Sequence, residues 1–265
     1  MALQRALSLF DELKAEWLKK PDPTALKNCE NLLSQLKICL TSVSFLPSGP
    51  AKATVQELVI ARDALEIGAL VSIHNKDIPS FERYIAQLKA YYTDHGVSIP
   101  RSPYEHELLG LNLLCLLAQN KLEQFHTELE LLDPTTLQNN VYLRHPISLE
   151  RYLMEGSYNK IFLSRGNVPS ETYNFFIDIL VDTVREEIAA CIEKSYTTVG
   201  RAEAVKMLFL SSVEDLGQIA TKRAWCLGEN DAFFFHQETK HERMTPSVQL
   251  ISQTLEYAKE LERIV

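Results

Sequence analysis

Glycine is scarce, at nine in 265 residues. Such a chain makes few tight turns, which suits a helical protein. A basic surface is also missing. Net charge is −8, acids and bases are interspersed, and Lys19-Lys20 and Lys222-Arg223 are the only adjacent basic pairs. Duplex nucleic acid presents one negative charge per ~1.7 Å, so a stable binder needs a basic stripe that this chain lacks. No G-x-x-x-x-G-K or G-x-G-x-x-G string is present to cradle phosphate. None of the cysteines (Cys29, Cys39, Cys115, Cys191, Cys226) forms a C-x-x-C pair. Their odd number argues for a reducing compartment, and Cys115 and Cys191 are expected as buried free thiols. The most apolar run, Leu108–Ala118, falls well short of the ~20 residues that a membrane crossing needs. The N-terminus carries acids by position 11, so no secretory leader is expected.

What is abundant is leucine at helical spacing. Leu3, Leu7, Phe10, Leu13 and Trp17 recur at three and four. Asp22 or Thr24 can cap a second helix with Leu32, Leu33, Leu36, Leu40 and Val43 on one face. A third helix starts near Thr54, and Gly68 within it implies close packing. Asp77 caps a fourth, lined by Phe81, Ile85, Leu88 and Tyr92. Tyr104–Gln119 and a segment with Leu122, Phe125, Leu129 and Leu132 follow. His145-Pro146 is expected to restart a helix at Ile147–Met154, with Gly156 as its C-cap. A long helix from Pro169-Ser170 carries Tyr173, Phe176, Leu180, Val184, Ile188 and Ile192 inward. Successive helices with short links are the unit of an α-solenoid, here without a strict internal period.

After about residue 196 the pattern changes. Two short helices, Arg201–Phe209 and Val213–Ala224, precede a strand–turn–strand from Trp225 to Phe235. Helix, helix and small hairpin is the order of a winged helix. Its candidate recognition helix begins with Glu214 and Asp215, acids where phosphates would lie, so protein pairing is expected rather than DNA reading. Phe233 and Phe235 are expected at an exposed strand edge open to a neighbour, with Phe234 on the opposite face; the equal alternative is that one or two of these rings fill the domain's own core. The final helix, capped by Thr245, carries Val248, Ile251, Leu255, Ala258, Leu261 and Val265 at three and four, with Leu250, Tyr257 and Ile264 beside them. That stripe suits packing in a helix bundle with other chains; folding back on its own domain is the alternative.

Chemical sites are weak. His106-Glu107 starts an H-E-x-x-H string, but position 110 is glycine, so the second zinc ligand is absent. His236 and His241 lie among acids in a polar loop without further ligands in fixed positions. No catalytic, cofactor or metal site is expected. An enzyme with an unrecognised site would need a buried cluster of shifted ionisable groups.

Several longer strings carry a resemblance. Ala61-Arg-Asp-Ala-Leu-Glu-Ile-Gly-Ala69, Lys76-Asp-Ile-Pro-Ser-Phe-Glu-Arg-Tyr84 and His145-Pro-Ile-Ser-Leu-Glu-Arg-Tyr-Leu-Met-Glu-Gly-Ser-Tyr-Asn-Lys160 are the longest. Leu109–Leu114, Phe125–Glu130, Phe175–Leu180 and Leu255–Lys259 add to them. Together they resemble the small PCI-domain non-ATPase subunits of the 26S proteasome regulatory particle lid, over nearly the whole chain. The resemblance implies a mainly α protein: a helical-repeat (α-solenoid, TPR-like) stem over 1–168, a connecting helix and winged helix over 169–240, and a C-terminal bundle helix over 241–265. It implies a non-catalytic scaffold in cytoplasm and nucleus that meets other lid subunits through its PCI part and last helix. Through the stem, a base subunit or a ubiquitin receptor is the implied partner. A PCI scaffold of the signalosome or of an initiation-factor assembly is the alternative.

Overall fold

The computed structural model describes residues 2–18, 23–41, 54–93, 100–210, 212–228, 231–235 and 247–264. The expected caps at Asp22 and Thr245, Val43, the loop 46–50, His236, His241 and Val265 lie outside the described residues, as do the side chains of Leu3 and Thr24. The chain divides into two compact units, Met1–Glu186 and Glu187–Val265.

The first unit contains α1 (Ala2–Leu18), α2 (Pro23–Thr41), α3 (Val55–His74), α4 (Ile78–Thr93), α5 (Glu105–Ala118), α6 (Leu122–Glu130), α7 (Pro134–Asn139), α8 (Val141–Met154), α9 (Tyr158–Ser164) and most of α10 (Tyr173–Ser195). Consecutive helices pack in pairs, α1 on α2 and α3 on α4, with α5 against both α6 and α8. Their amphipathic faces dictate this: Phe10 and Leu13 meet the core side of α2, formed by Cys29, Leu33, Leu36 and Leu40. α3 and α5 are apolar nearly all round, so both are buried between neighbours. Gly68 does mark close packing; a Cβ there would lie 2.7 Å from the Tyr84 ring on α4. Asp77 begins α4 as expected, accepting from the Ser80 amide at 3.3 Å.

Two expectations need correction, besides the helix ends and the strand edge described below. α8 does not restart at Ile147; it begins at Val141, where Asn140 Oδ1 accepts from the Tyr142 amide at 3.0 Å, and it runs through Pro146. Proline in a helix interior leaves the carbonyl four residues back without its donor. That carbonyl belongs to Tyr142, and the buried Tyr173 hydroxyl lies 3.3 Å from it and 3.3 Å from the Glu107 carbonyl, sharing its one proton between them. Burial pushes the Tyr173 phenol far above its ordinary range, so it remains a donor. Cys191 is the second correction: Cys115 is buried, but Cys191 is exposed, because it sits beyond the inward stripe of α10.

The second unit contains the end of α10, then β1 (Thr198–Gly200), α11 (Arg201–Met207), α12 (Val213–Lys222), β2 (Cys226–Leu227), β3 (Ala232–Phe234) and α13 (Ser247–Glu262). The sheet order is β1-β3-β2, antiparallel throughout, with Val199 opposite Phe233 and Cys226 opposite Phe234. Strand, two helices and a returning hairpin form the expected winged helix. Its inward side chains are Val199, Ala204, Leu208, Leu216 and Phe233. α11 and α12 stop two residues earlier than expected, because Phe209 and Ala224 take positive φ of 51° and 54°.

Candidate interaction surfaces and a buried polar knot

α13 starts from its residues' spacing. At 100° per residue, Val248, Leu255, Ile251, Ala258, Leu261, Leu250, Tyr257 and Ile264 fall on one arc about 200° wide, interrupted by Thr254 and, near the helix's end, Glu262. The opposite arc carries Gln249, Ser252, Gln253, Glu256, Lys259, Glu260 and Arg263. Every described side chain from Ser247 to Ile264 is exposed; Leu255 is 66% and Tyr257 72% accessible. A helix on a flat surface buries a stripe of roughly 100°. An arc twice that width is matched only by neighbours on two sides. Isolated helices of this length are marginal in water, so burial of that face is also what would stabilise the helix.

The expected edge at Phe233 and Phe235 is not where the structure places those rings. β3 is the central strand, because β1, too short to show alternation in the sequence, pairs along its other side. Phe233 is buried, and both rings pack on Trp225, with centroids 5.4 and 5.1 Å away. Phe234 does point the other way and is exposed. Trp225 is itself held by Nε1 donating to Glu193 Oε1 at 2.6 Å, an acceptor that Arg223 shares at 3.2 Å. Phe233 thus belongs to the winged helix's own core, and the half-buried Trp225 and Phe235 pack together at its margin.

Sequence reasoning missed a polar knot inside the first unit. Glu66, 2% exposed on α3, accepts from the Tyr92 hydroxyl at 2.8 Å and the Ser102 hydroxyl at 2.7 Å. Arg62, also buried, lies 3.6 Å from Glu66, donates to Asp63 at 2.8 Å and to the Pro100 carbonyl at 2.5 Å. The knot fixes the chain at 100–102 over α3 before α5 begins. The i, i+4 spacing of Arg62 and Glu66 was its one signal, and that spacing is ordinary on exposed helices. Burial, ahead of its hydroxyl donors, raises the Glu66 carboxyl above the usual carboxylate range. The folded state therefore binds a proton more tightly than the unfolded chain does. This stabilising contribution is complete below the ordinary carboxylate value and is lost as pH rises through the raised one. Glu66→Gln should remove that component: the variant's urea midpoint should decline less than the parent's as pH is raised from 4.5 to neutrality. Parallel profiles would refute it.

Among the described residues no group of three His, Cys, Asp or Glu side chains could hold a metal ion, and no helix is long and apolar enough to cross a membrane. His106, the first residue of the incomplete zinc string, has Nδ1 buried without a partner among the described residues. Gly110, where a second ligand would stand, is instead packed against α8.

Comparison with known proteins finds relatives over nearly the whole chain. Residues 103–264 match the model of the CSN8/PSMD8/EIF3K family. Over 263 residues the chain is 43% identical to 26S proteasome non-ATPase regulatory subunit 8 homolog A of Arabidopsis thaliana, covering 97% of this chain and 96% of that one. It is 35% identical to 26S proteasome non-ATPase regulatory subunit 8 of Caenorhabditis elegans, over 96% of this chain and 97% of the relative. With the 26S proteasome regulatory subunit RPN12 of Saccharomyces cerevisiae it shares 33% identity, over 89% and 92% respectively.

Proposed function

Because the chain belongs to the CSN8/PSMD8/EIF3K family, and its relatives across almost their full length are named as proteasome regulatory subunits, we propose that it is a structural subunit of the 26S proteasome lid. It supports lid assembly, docking of the lid on the base, and so ubiquitin-dependent proteolysis, in cytoplasm and nucleus. It is a scaffold and performs no chemistry of its own. The reading as a scaffold of the signalosome or of an initiation-factor assembly is not favoured, since each relative just described carries a proteasome name.

The observation that carries the proposal is α13, with an apolar arc too wide for one neighbour and no buried side chain among its described residues. Helices from neighbouring lid subunits cover it, with Val248, Leu250, Ile251, Leu255, Tyr257, Ala258, Leu261, Ile264 and Val265 as the contact set. Contacts of the winged helix come from its flanking strands β1 and β2, since Phe233 and Phe235 are used internally. The stem faces a base subunit or a ubiquitin receptor. Affinity purification of the tagged full-length chain from cell extract, followed by mass spectrometry, tests the proposal. Recovery of lid and base proteins together is the expected result. Recovery of signalosome or initiation-factor proteins instead would replace this assignment.

A further inference from the structure

α6, α7 and α8 enclose a groove of about 700 Å³ in the first unit. Its walls are apolar where Leu129, Pro134, Leu137 and Ile147 line it, and the three aliphatic side chains are half-buried. Arg144 and Arg151 stand on α8 and are exposed. Arg144, Ile147, Ser148 and Arg151 follow each other at i, i+3, i+4 and i+7, so they form a single stripe. The two guanidinium groups flank an apolar centre and are set about 10.5 Å apart along the axis, two helical turns.

Arg144 and Arg151 stand with Arg5, Arg83 and Arg101 as described arginines that make no ion pair with a described residue. Acids exceed bases by eight. Among the described residues Arg62, Arg165, Arg185, Arg201, Arg223 and Arg263 each find a carboxylate. Neither Arg144 nor Arg151 has an acidic partner among the described residues. His126, across the groove, is already engaged 3.6 Å from Glu150, and Glu130 is the one acid lining the groove. Beyond the far end, Lys160 lies 5.0 Å over the Tyr152 ring and is paired with Glu155 at 3.8 Å, so it adds no unmatched charge. In a chain of acidic excess, this apolar-floored groove thus carries two arginines without acidic partners among the described residues, against one lining acid, Glu130.

We propose that this groove docks an acidic amphipathic helix of a partner protein, one with carboxylates two turns apart flanking an apolar residue. Helix-in-groove recognition reads anchors at i, i+3, i+4 and i+7, the periodicity of the α8 stripe. The acids meet Arg144 and Arg151 as bidentate pairs, which arginine forms better than lysine. The apolar residue lies over Ile147, between Leu129 and Leu137. The site is separate from α13 and independent of the bundle reading.

A photo-crosslinking residue replacing exposed Gln138, which lines the groove, tests this in the full chain expressed in cells. A second probe replacing Leu255 reports on α13. Sequencing of the peptide captured at Gln138 should return a segment with two acids seven residues apart around an apolar one. Arg144→Glu with Arg151→Glu should lower that yield about tenfold, and changing the two partner acids to Lys should restore it. Both arginines are exposed, so the double variant should keep its thermal midpoint. Capture of a basic or acid-free segment, capture of a second copy of this chain, or a yield indifferent to charge reversal would overturn the proposal. So would no crosslink at Gln138. A crosslink at Leu255 alone would leave the bundle reading standing.

Discussion

Leu255→Asp should leave the monomer folded yet remove it from the lid. In the chain alone Leu255 is two-thirds exposed and α13 buries nothing among its described residues, so the substitution deletes no internal packing. Surface changes of this kind alter stability by about 0.5 kcal/mol or less. In a bundle the same position loses about 1.5–3 kcal/mol of apolar burial. It also places a carboxylate among hydrocarbon, which adds a cost of similar or larger size. Recovery with lid and base proteins should fall by about a hundredfold or more, while the thermal midpoint of the purified chain stays put. Deleting 261–265 should act the same way, because it removes Leu261 and Ile264 from the arc. Undiminished incorporation of either variant would show that α13 is not what holds the subunit in place.

Gly110→Ala should be the most damaging single methyl in the first unit. On a helix this exchange ordinarily stabilises by about 1 kcal/mol. Here the added Cβ would stand 2.6 Å from the Tyr142 carbonyl oxygen and collide with the Tyr173 hydroxyl. The carbonyl is backbone and cannot step aside without moving α8. Displacing the hydroxyl takes from Tyr142 the donor that Pro146 fails to supply. Overpacking costs about 1–3 kcal/mol, and an orphaned buried acceptor about 1–3 more. Denaturation in urea should show a loss of about 3 kcal/mol or greater. Gly217→Ala on α12, where nothing lies within 4 Å of the added carbon, should instead be neutral or stabilising. Equal behaviour of the two variants would mean that the α5–α8 contact is looser than described.

The same residues show what could and could not be read in the sequence. The amphipathic faces of α2, α4 and α10 are legible because burial follows the three-four period almost residue by residue. β1 was not, since three residues are too few for alternation to stand out, and without β1 the hairpin strand β3 looks like an edge. The start of α8 was hidden by Pro146, whose usual meaning is a helix boundary; a donor for the freed carbonyl comes from the distant hydroxyl of Tyr173. The Arg62–Glu66 knot was invisible for a related reason. Its partners Tyr92 and Ser102 come from other parts of the chain, and periodicity reports one helix at a time. α13 was read correctly as amphipathic, and its exposure carries the information that the spacing alone lacked.

The scarcity of glycine has one more consequence. α3, α5, α8, α11 and α12 all end in the same turn, in which an amide reaches back to the carbonyl five residues before it: Asp77 to Ser72, Lys121 to Leu116, Ser157 to Tyr152, Leu210 to Val205 and Trp225 to Ala220. That turn needs a left-handed residue, and only after α8 is it glycine. Lys76, Asn120, Phe209 and Ala224 take the position elsewhere, with φ between 51° and 59°. Lys76, Phe209 and Ala224 each carry a native strain of about 1 kcal/mol that glycine would relieve, and Asn120 less, because its short amide side chain tolerates this region. A glycine there would also loosen the unfolded chain by a comparable amount. The two effects nearly cancel, so at these stops the identity of the residue is thermodynamically almost free. What halts each helix is the docking of the segment that follows it, and the same protein could drift in sequence at its corners without changing where it bends.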